Sequence, residues 1–172
     1  IIDLEQAKNK ITKNTKLLML VSANGRFPKN GIDEFETFSR ETGIKIIEDA
    51  AEAAGSELNS KQAGTFGDVG CFSFFSNKNL SIGEGGMVST LSTTLHKKLG
   101  YLRSHGMTTL TLDRHKGRSI SYDVAQPGLN YRMDEMRSAI GLVQLEKLPA
   151  GNSRRGELTQ RYRSRLAKSS VK

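Results

Sequence analysis

The sequence predicts an α/β protein with a mostly parallel sheet flanked by helices, and three observations predict it. Short apolar runs of strand length alternate with segments whose apolar residues recur at helical spacing. The first of these runs, KLLMLVS (16–22), is near-continuously apolar, as a strand buried on both faces of a parallel sheet requires. Two of the strand ends carry ionisable side chains, which is where open α/β sheets gather ligands.

The elements follow in order. After the 16–22 strand, NGRFPKNG reads as a loop. The segment 32–43 then spaces Ile32, Phe35 and Phe38 at helical intervals and closes on Gly43, a helix stop. IKIIEDA (44–50) is a second strand, so the three segments form a β-α-β unit with a right-handed crossover. GDVGCFSFF (67–75) predicts a third strand and GGMVST (85–90) a fourth. The stretch 91–106 reads as a helix ending near Gly106. The segment 132–148 predicts an amphipathic helix with Met133, Met136, Ile140, Val143 and Leu148 on its apolar side. No internal repeat or low-complexity segment interrupts this order.

Composition narrows the function classes. At 172 residues the chain suits one domain with a real core. It holds no apolar run long enough to span a membrane, and its charged first ten residues do not read as a signal peptide. The lone Cys71 excludes an internal disulfide and fits a reducing, cytoplasmic setting. Of the net charge of +8, residues 150–172 supply +6. Basic residues interspersed along a helix read as a solvated face, and no nucleic-acid-binding motif accompanies them. Phosphate-loop, dinucleotide-fingerprint and nucleophile-elbow strings are missing. His96, His105 and His115 show no metal-ligand spacing, so no metal is expected.

Two strand ends remain. Glu48 and Asp49 close the second strand, and Ser73 followed by Lys78 closes the third. A carboxylate and a lysine meeting in one crevice can be a plain salt bridge. They can equally be a Schiff-base lysine with a carboxylate that protonates a cofactor ring nitrogen, the arrangement pyridoxal phosphate needs. Lysine suits that role because its amine is nucleophilic once uncharged and its stem is flexible.

The blocks IIEDAAEAAGS, GTFGDVGCFSFFSNKNLSIGEGGMV, LRSHGM and GLNYRMDEMRSAIGLVQLEKL occur in the order seen in the DegT/DnrJ/StrS sugar aminotransferases, and the chain resembles that family from about residue 2 to residue 167. The resemblance implies the central part of the large domain of an aspartate-aminotransferase-like, type I pyridoxal-phosphate fold. Residues 1–149 then belong to the cofactor-binding large domain. Residues 150–172 begin a basic helix leading to a small domain that this chain lacks, so the chain looks like a fragment.

Residue by residue, Lys78 resembles the lysine that binds the aldehyde of pyridoxal 5'-phosphate and shuttles the substrate proton. Asp49 matches the carboxylate on the pyridine nitrogen, and Ser73 the serine on the cofactor phosphate. Glu52 stands where many members carry Gln or His against the cofactor ring. Asn130 and Arg132 match residues lent to the neighbouring subunit's site near phosphate and substrate, which implies a homodimer with shared active sites. His105, in RSHG, falls where a substrate contact or a loop-structural role is expected. The lysine also sets the chain apart from the related dehydratases, which carry histidine there. The implied reaction takes an amino group from a donor, glutamate in most relatives, to a keto-sugar on a nucleoside diphosphate. No membrane or nucleic-acid partner is implied. The other class to weigh is a truncated, non-catalytic paralogue serving as a binding or partner module.

Overall fold

The computed structural model describes residues 2–28, 31–109, 116–117 and 123–167. His115 and the last two lysines of the basic tail lie outside these residues. The chain divides into two compact units, Ile1–Ser89 with Glu135–Lys172, and Thr90–Asp134.

The first unit is built on a four-stranded sheet ordered β1-β2-β5-β6. Strands β1 (Leu17–Val21), β2 (Lys45–Asp49) and β5 (Val69–Ser73) run parallel, with Val21 beside Asp49 and Asp49 beside Cys71. Strand β6 (Gly86–Ser89) returns antiparallel to β5, setting Val88 beside Cys71 and Gly86 beside Ser73. A short helix α1 (Leu4–Lys8) precedes the sheet, capped by the Asp3 side chain, which accepts from the Gln6 amide at 2.9 Å.

Helix α2 (Asp33–Thr42) forms where the sequence predicts it. Asp33, Glu34 and Glu36 complement the positive end of its dipole, and Gly43 closes it in the left-handed region at φ 74. Ile32, Phe35 and Phe38 all point into the core, where they meet Leu20, Ile46, Ala50, Ala53 and Phe66. Phe27 packs edge-on against Phe66, with ring centroids 5.2 Å apart. The β2–β5 connection contains a small antiparallel hairpin, β3 (Glu57–Leu58) with β4 (Lys61–Gln62), that sequence patterning does not predict. Lys61 ties it back to Glu36 on α2 and rides over the Phe66 ring.

The expectation that the first strand is buried on both faces is corrected. Leu20 is fully buried, whereas Leu17, Met19 and Val21 remain 45%, 53% and 42% exposed. Side chains alternate across a strand, and α2 with its loops covers one face of the sheet only. The covered face carries Leu20, Ile46 and Glu48, and the open face carries Val21, Asp49 and Cys71.

Glu48 is the unusual member of the core, a carboxylate with 0% exposure. It accepts from Ser22 Oγ at 3.1 Å on one oxygen, and from the amides of Gly64 at 2.7 Å and Phe66 at 3.2 Å on the other. Burying such a group is tolerable only when its lone pairs are met, and here three donors from two other segments meet them. At the opposite end of β2, Asp68 accepts from the Ile46 amide at 2.9 Å and pairs with Lys45 at 3.0 Å. Burial alone would push the Asp68 carboxyl up, but these contacts outweigh it and hold it below the usual carboxylate range.

The C-terminal helix departs from expectation. It is one 32-residue helix, α4 (Glu135–Leu166), running through Pro149 rather than ending at 148. Proline removes one backbone donor, but the turns on either side are pinned: Leu148 packs on Gly55, and the Asn152 amide donates to the Ala54 carbonyl at 3.1 Å. Its expected apolar side is corrected too. Met136, Ile140 and Val143 are exposed, and only Leu148 is buried. Within the second unit, helix α3 (Thr93–Arg103) is capped by Ser92, whose hydroxyl accepts from the Leu95 amide at 3.2 Å. It ends at Arg103 rather than near Gly106, because Ser104 leaves the helix to form an antiparallel bridge with Asn130.

Candidate active site

The carboxyl ends of β2 and β5 sit side by side, as the parallel register requires. Asp49 is the last residue of β2 and lies on the open face of the sheet. Its carboxylate accepts from the Ala51 amide at 3.0 Å, which fixes the side chain over the strand end. Cys71 is its neighbour on β5. Burial and then the Asp49 charge push the Cys71 thiol up, so the two side chains share one environment. Ser73, two residues further along β5, projects to the same face, and its hydroxyl accepts from the Phe75 amide at 3.3 Å.

That environment makes a checkable demand. A raised thiol holds less thiolate at a given pH, and thiolate is the reactive form. Alkylation of Cys71 by iodoacetamide at neutral pH should therefore be slower than that of an ordinary cysteine. Asp49→Asn should speed it by roughly twofold or more, since one of the two causes is removed. An unchanged rate in that variant would separate the two side chains.

Lys78 stands on the connection between β5 and β6. The backbone closes this connection at Phe74, whose carbonyl accepts from the Ile82 amide at 3.0 Å and whose amide donates to the Gly85 carbonyl at 2.9 Å. Gly83 at φ 87 and Gly85 at φ 154 supply the positive φ angles that the return needs, and a Cβ at Gly86 would lie 2.7 Å from the Phe72 carbonyl oxygen. The glycines of GEGG therefore serve the turn. Glu84 is exposed at its tip.

The lysine side chain is only 19% exposed and reaches into an open pocket of ≈ 240 Å³ lined by Asn24, Ala51, Glu52, Asn77 and Asn79. Its amine lies 3.5 Å from Glu52 Oε1. The other Glu52 oxygen accepts from the Asn24 amide at 3.1 Å, with Asn24 itself in the left-handed region at φ 53.

The structure thus brings Lys78 and Glu52 together in one pocket, and it sets Asp49 and Ser73 on adjacent strand ends of one face. Neither Asp49 nor Ser73 lines that pocket. The carboxylate that meets the lysine is Glu52, which follows the strand, and not Glu48, which points into the core. His105, Asn130 and Arg132 belong to the second unit. There the His105 amide donates to the Leu129 carbonyl at 2.9 Å, which lays RSHG alongside NYR. His105 is exposed and held at φ 58, a conformation uncommon outside glycine. Asn130 and Arg132 are exposed as well. Asn24 is a site residue that sequence reasoning missed, as are Asn77 and Asn79. Asn24 acts through its backbone amide, for which no side-chain pattern is a signal. Among the described residues no group of three or more His, Cys, Asp or Glu side chains is placed to hold a metal.

An amine on one connection, with a carboxylate and a hydroxyl on neighbouring strand ends, is a donor set that fits pyridoxal phosphate: an amine for its aldehyde, an acid for its ring nitrogen, a hydroxyl for its phosphate. The fold and these groups define a class only as far as an α/β protein with a lysine, a carboxylate and a hydroxyl at the carboxyl end of a parallel sheet. The comparisons narrow that class. The DegT/DnrJ/EryC1/StrS aminotransferase family model matches residues 1–172, and the chain belongs to that family. It is 37% identical over 166 residues to a GDP-perosamine synthase of Vibrio cholerae, covering 96% of this chain and 42% of that protein. It is 35% identical over 162 residues to an uncharacterized protein of Methanocaldococcus jannaschii, covering 94% of this chain and 42% of the relative.

Among solved structures, Helicobacter pylori PseC, an aminotransferase involved in the biosynthesis of pseudoaminic acid, superimposes with a TM-score of 0.87 at 28% identity, over 98% of this chain and 43% of PseC. Spr1654 of Streptococcus pneumoniae, in its PLP form, gives a TM-score of 0.82 at 25% identity, over 98% of this chain and 45% of that one. The chain spans about two fifths of the length of the curated relatives it matches.

Proposed function

We propose that this chain carries the lysine-bearing part of the catalytic centre of a pyridoxal-phosphate-dependent aminotransferase. Its acceptor would be a keto-sugar linked to a nucleoside diphosphate and its amino donor glutamate, in cell-surface polysaccharide or amino-sugar biosynthesis. The observation that carries this reading is Lys78, held largely out of solvent in a pocket at the carboxyl end of a parallel sheet, beside the strand ends that bear Asp49 and Ser73. Relatives named for perosamine synthesis and for pseudoaminic acid biosynthesis support the sugar-linked acceptor class.

When bound, the cofactor supplies an electron sink for the substrate carbon being deprotonated. The chain's own residues do the rest. Lys78 would hold the aldehyde carbon through Nζ and, once released from it, would hold and move the substrate proton at that atom. Asp49 would keep a proton on the ring nitrogen, and the Ala51 amide, which donates to its carboxylate at 3.0 Å, holds its side chain over the strand end. Ser73 Oγ would donate to a phosphate oxygen, and Glu52, which lines the pocket, would lie against the cofactor ring. Asn130, Arg132 and His105 serve phosphate and substrate, the first two across the interface of a homodimer. The setting is cytoplasmic, without a membrane or nucleic-acid partner. Among the described residues no helix is long and apolar enough to cross a membrane.

The test is borohydride reduction after incubation with pyridoxal phosphate, followed by peptide mapping. A pyridoxyl mass on Lys78 is expected. No label, or label scattered over surface lysines, overturns this reading in favour of a non-catalytic module.

A further inference from the structure

We infer that Glu52 is a positioning residue that docks the Lys78 amine whenever that amine carries no covalent partner. The inference rests on three features of this chain. The carboxylate is held by the backbone, since the Asn24 amide donates to Oε2 at 3.1 Å, leaving Oε1 to face the lysine at 3.5 Å. Asn24 lines the pocket in a left-handed conformation, so the Glu52 carboxylate is anchored there by a backbone amide of the loop. Among the described residues lining the pocket, Glu52 and Lys78 are the only charged ones, so no second carboxylate competes for the amine.

The chemistry follows from this pairing. An ammonium paired with a carboxylate is a poor nucleophile, because its lone pair is occupied by a proton. For Lys78 to attack an electrophile the Nζ proton must pass to solvent water and the ion pair must open, and when the freed amine takes a proton back from water the same carboxylate receives it. Glu52 therefore sets the resting position of the lysine and restrains its reactivity. This goes beyond a place against the cofactor ring, although the natural electrophile, an aldehyde, is the one named by the functional reading above.

Trace acylation of the full chain with acetic anhydride tests this without any cofactor. The rate at Lys78 is read by peptide mapping across a pH series, with exposed Lys97 as internal reference. Glu52→Gln and Glu52→Ala should each raise the rate at Lys78 relative to Lys97 near neutral pH by roughly two- to fivefold, the size expected for a pair whose carboxylate is half exposed. Glu52→Asp, which keeps the charge, should stay close to the native rate. At a pH high enough to free the amine in all variants the differences should vanish, which a merely structural change would not produce. Equal ratios in all four proteins at every pH, or a rise in Glu52→Asp as large as in Glu52→Ala, overturn the inference. A thermal melt of each variant excludes unfolding as the source of a rise. Failure of pyridoxal phosphate to label Lys78 would sink the aminotransferase reading and leave the acylation result standing on its own.

Discussion

Replacing Lys78 with alanine is expected to abolish borohydride-stable capture of pyridoxal phosphate and to lower transamination by on the order of 10³-fold or more, the scale seen when a covalent nucleophile is deleted. Arginine at the same position is the sharper variant. It keeps the positive charge and can still pair with Glu52, but its guanidinium stays protonated and does not attack an aldehyde. Lys78→Arg should therefore fold normally, melt close to the native temperature and remain as inactive as Lys78→Ala. Turnover is measured in the protein as it occurs, with the chain in its full assembly, and the label is followed by peptide mass. Turnover by Lys78→Arg near the native rate would show that the lysine contributes charge alone, and the plain salt-bridge account of this crevice would prevail.

The second large effect concerns stability. Glu48→Ala is expected to cost about 3–5 kcal/mol, from the buried donors it leaves unmet and the cavity it opens. Three donors lose their acceptor together: Ser22 Oγ and the amides of Gly64 and Phe66. Each is an unmet group in the core at about 1–3 kcal/mol, and a cavity is added where the side chain stood. Against a total stability of about 5–15 kcal/mol for an ordinary domain, that loss is most of the margin. Glu48→Gln keeps the volume and one acceptor oxygen and should cost less than half as much. Urea denaturation of the three proteins measures both. If Glu48→Ala shifts the midpoint no more than a surface substitution does, the hydrogen-bonded core around Glu48 is wrong.

Much of this architecture was legible in the residues. Ile32, Phe35 and Phe38 at helical spacing, with Gly43 after them, marked α2, because periodicity and a left-handed stop are both local properties. The strand positions, the β-α-β unit and the placement of Asp49, Ser73 and Lys78 at strand ends followed from similar local signals. What escaped was set by tertiary contact. The hairpin of Glu57–Leu58 with Lys61–Gln62 is too short and too polar to show a period of two. The pairing of Lys78 with Glu52 joins two connections on either side of β5, and only the folded sheet brings them together. Pro149 sits inside a helix because Leu148 and Asn152 dock around it, which no propensity encodes. The pattern Met136, Ile140, Val143 described the helix correctly but not its surroundings, since period reports a face and not what covers it.

The two adjacent carboxylates of β2 have a consequence for how the sheet assembles. A strand that slips by one residue presents its opposite set of side chains to each face. Here such a slip would carry Asp49 into the core and swing Glu48 out to the open face, exchanging two acids that differ by one methylene. Hydrophobic pattern alone guards weakly against this exchange, because Ile46 and Ile47 are identical neighbours. The three donors that meet Glu48 accept only one alignment, since they come from fixed points on the end of β1 and on the loop before β5. The buried acid thus acts as a proofreading peg for strand alignment, and Asp49 beside it inherits its address on the open face from a residue that stays in the core.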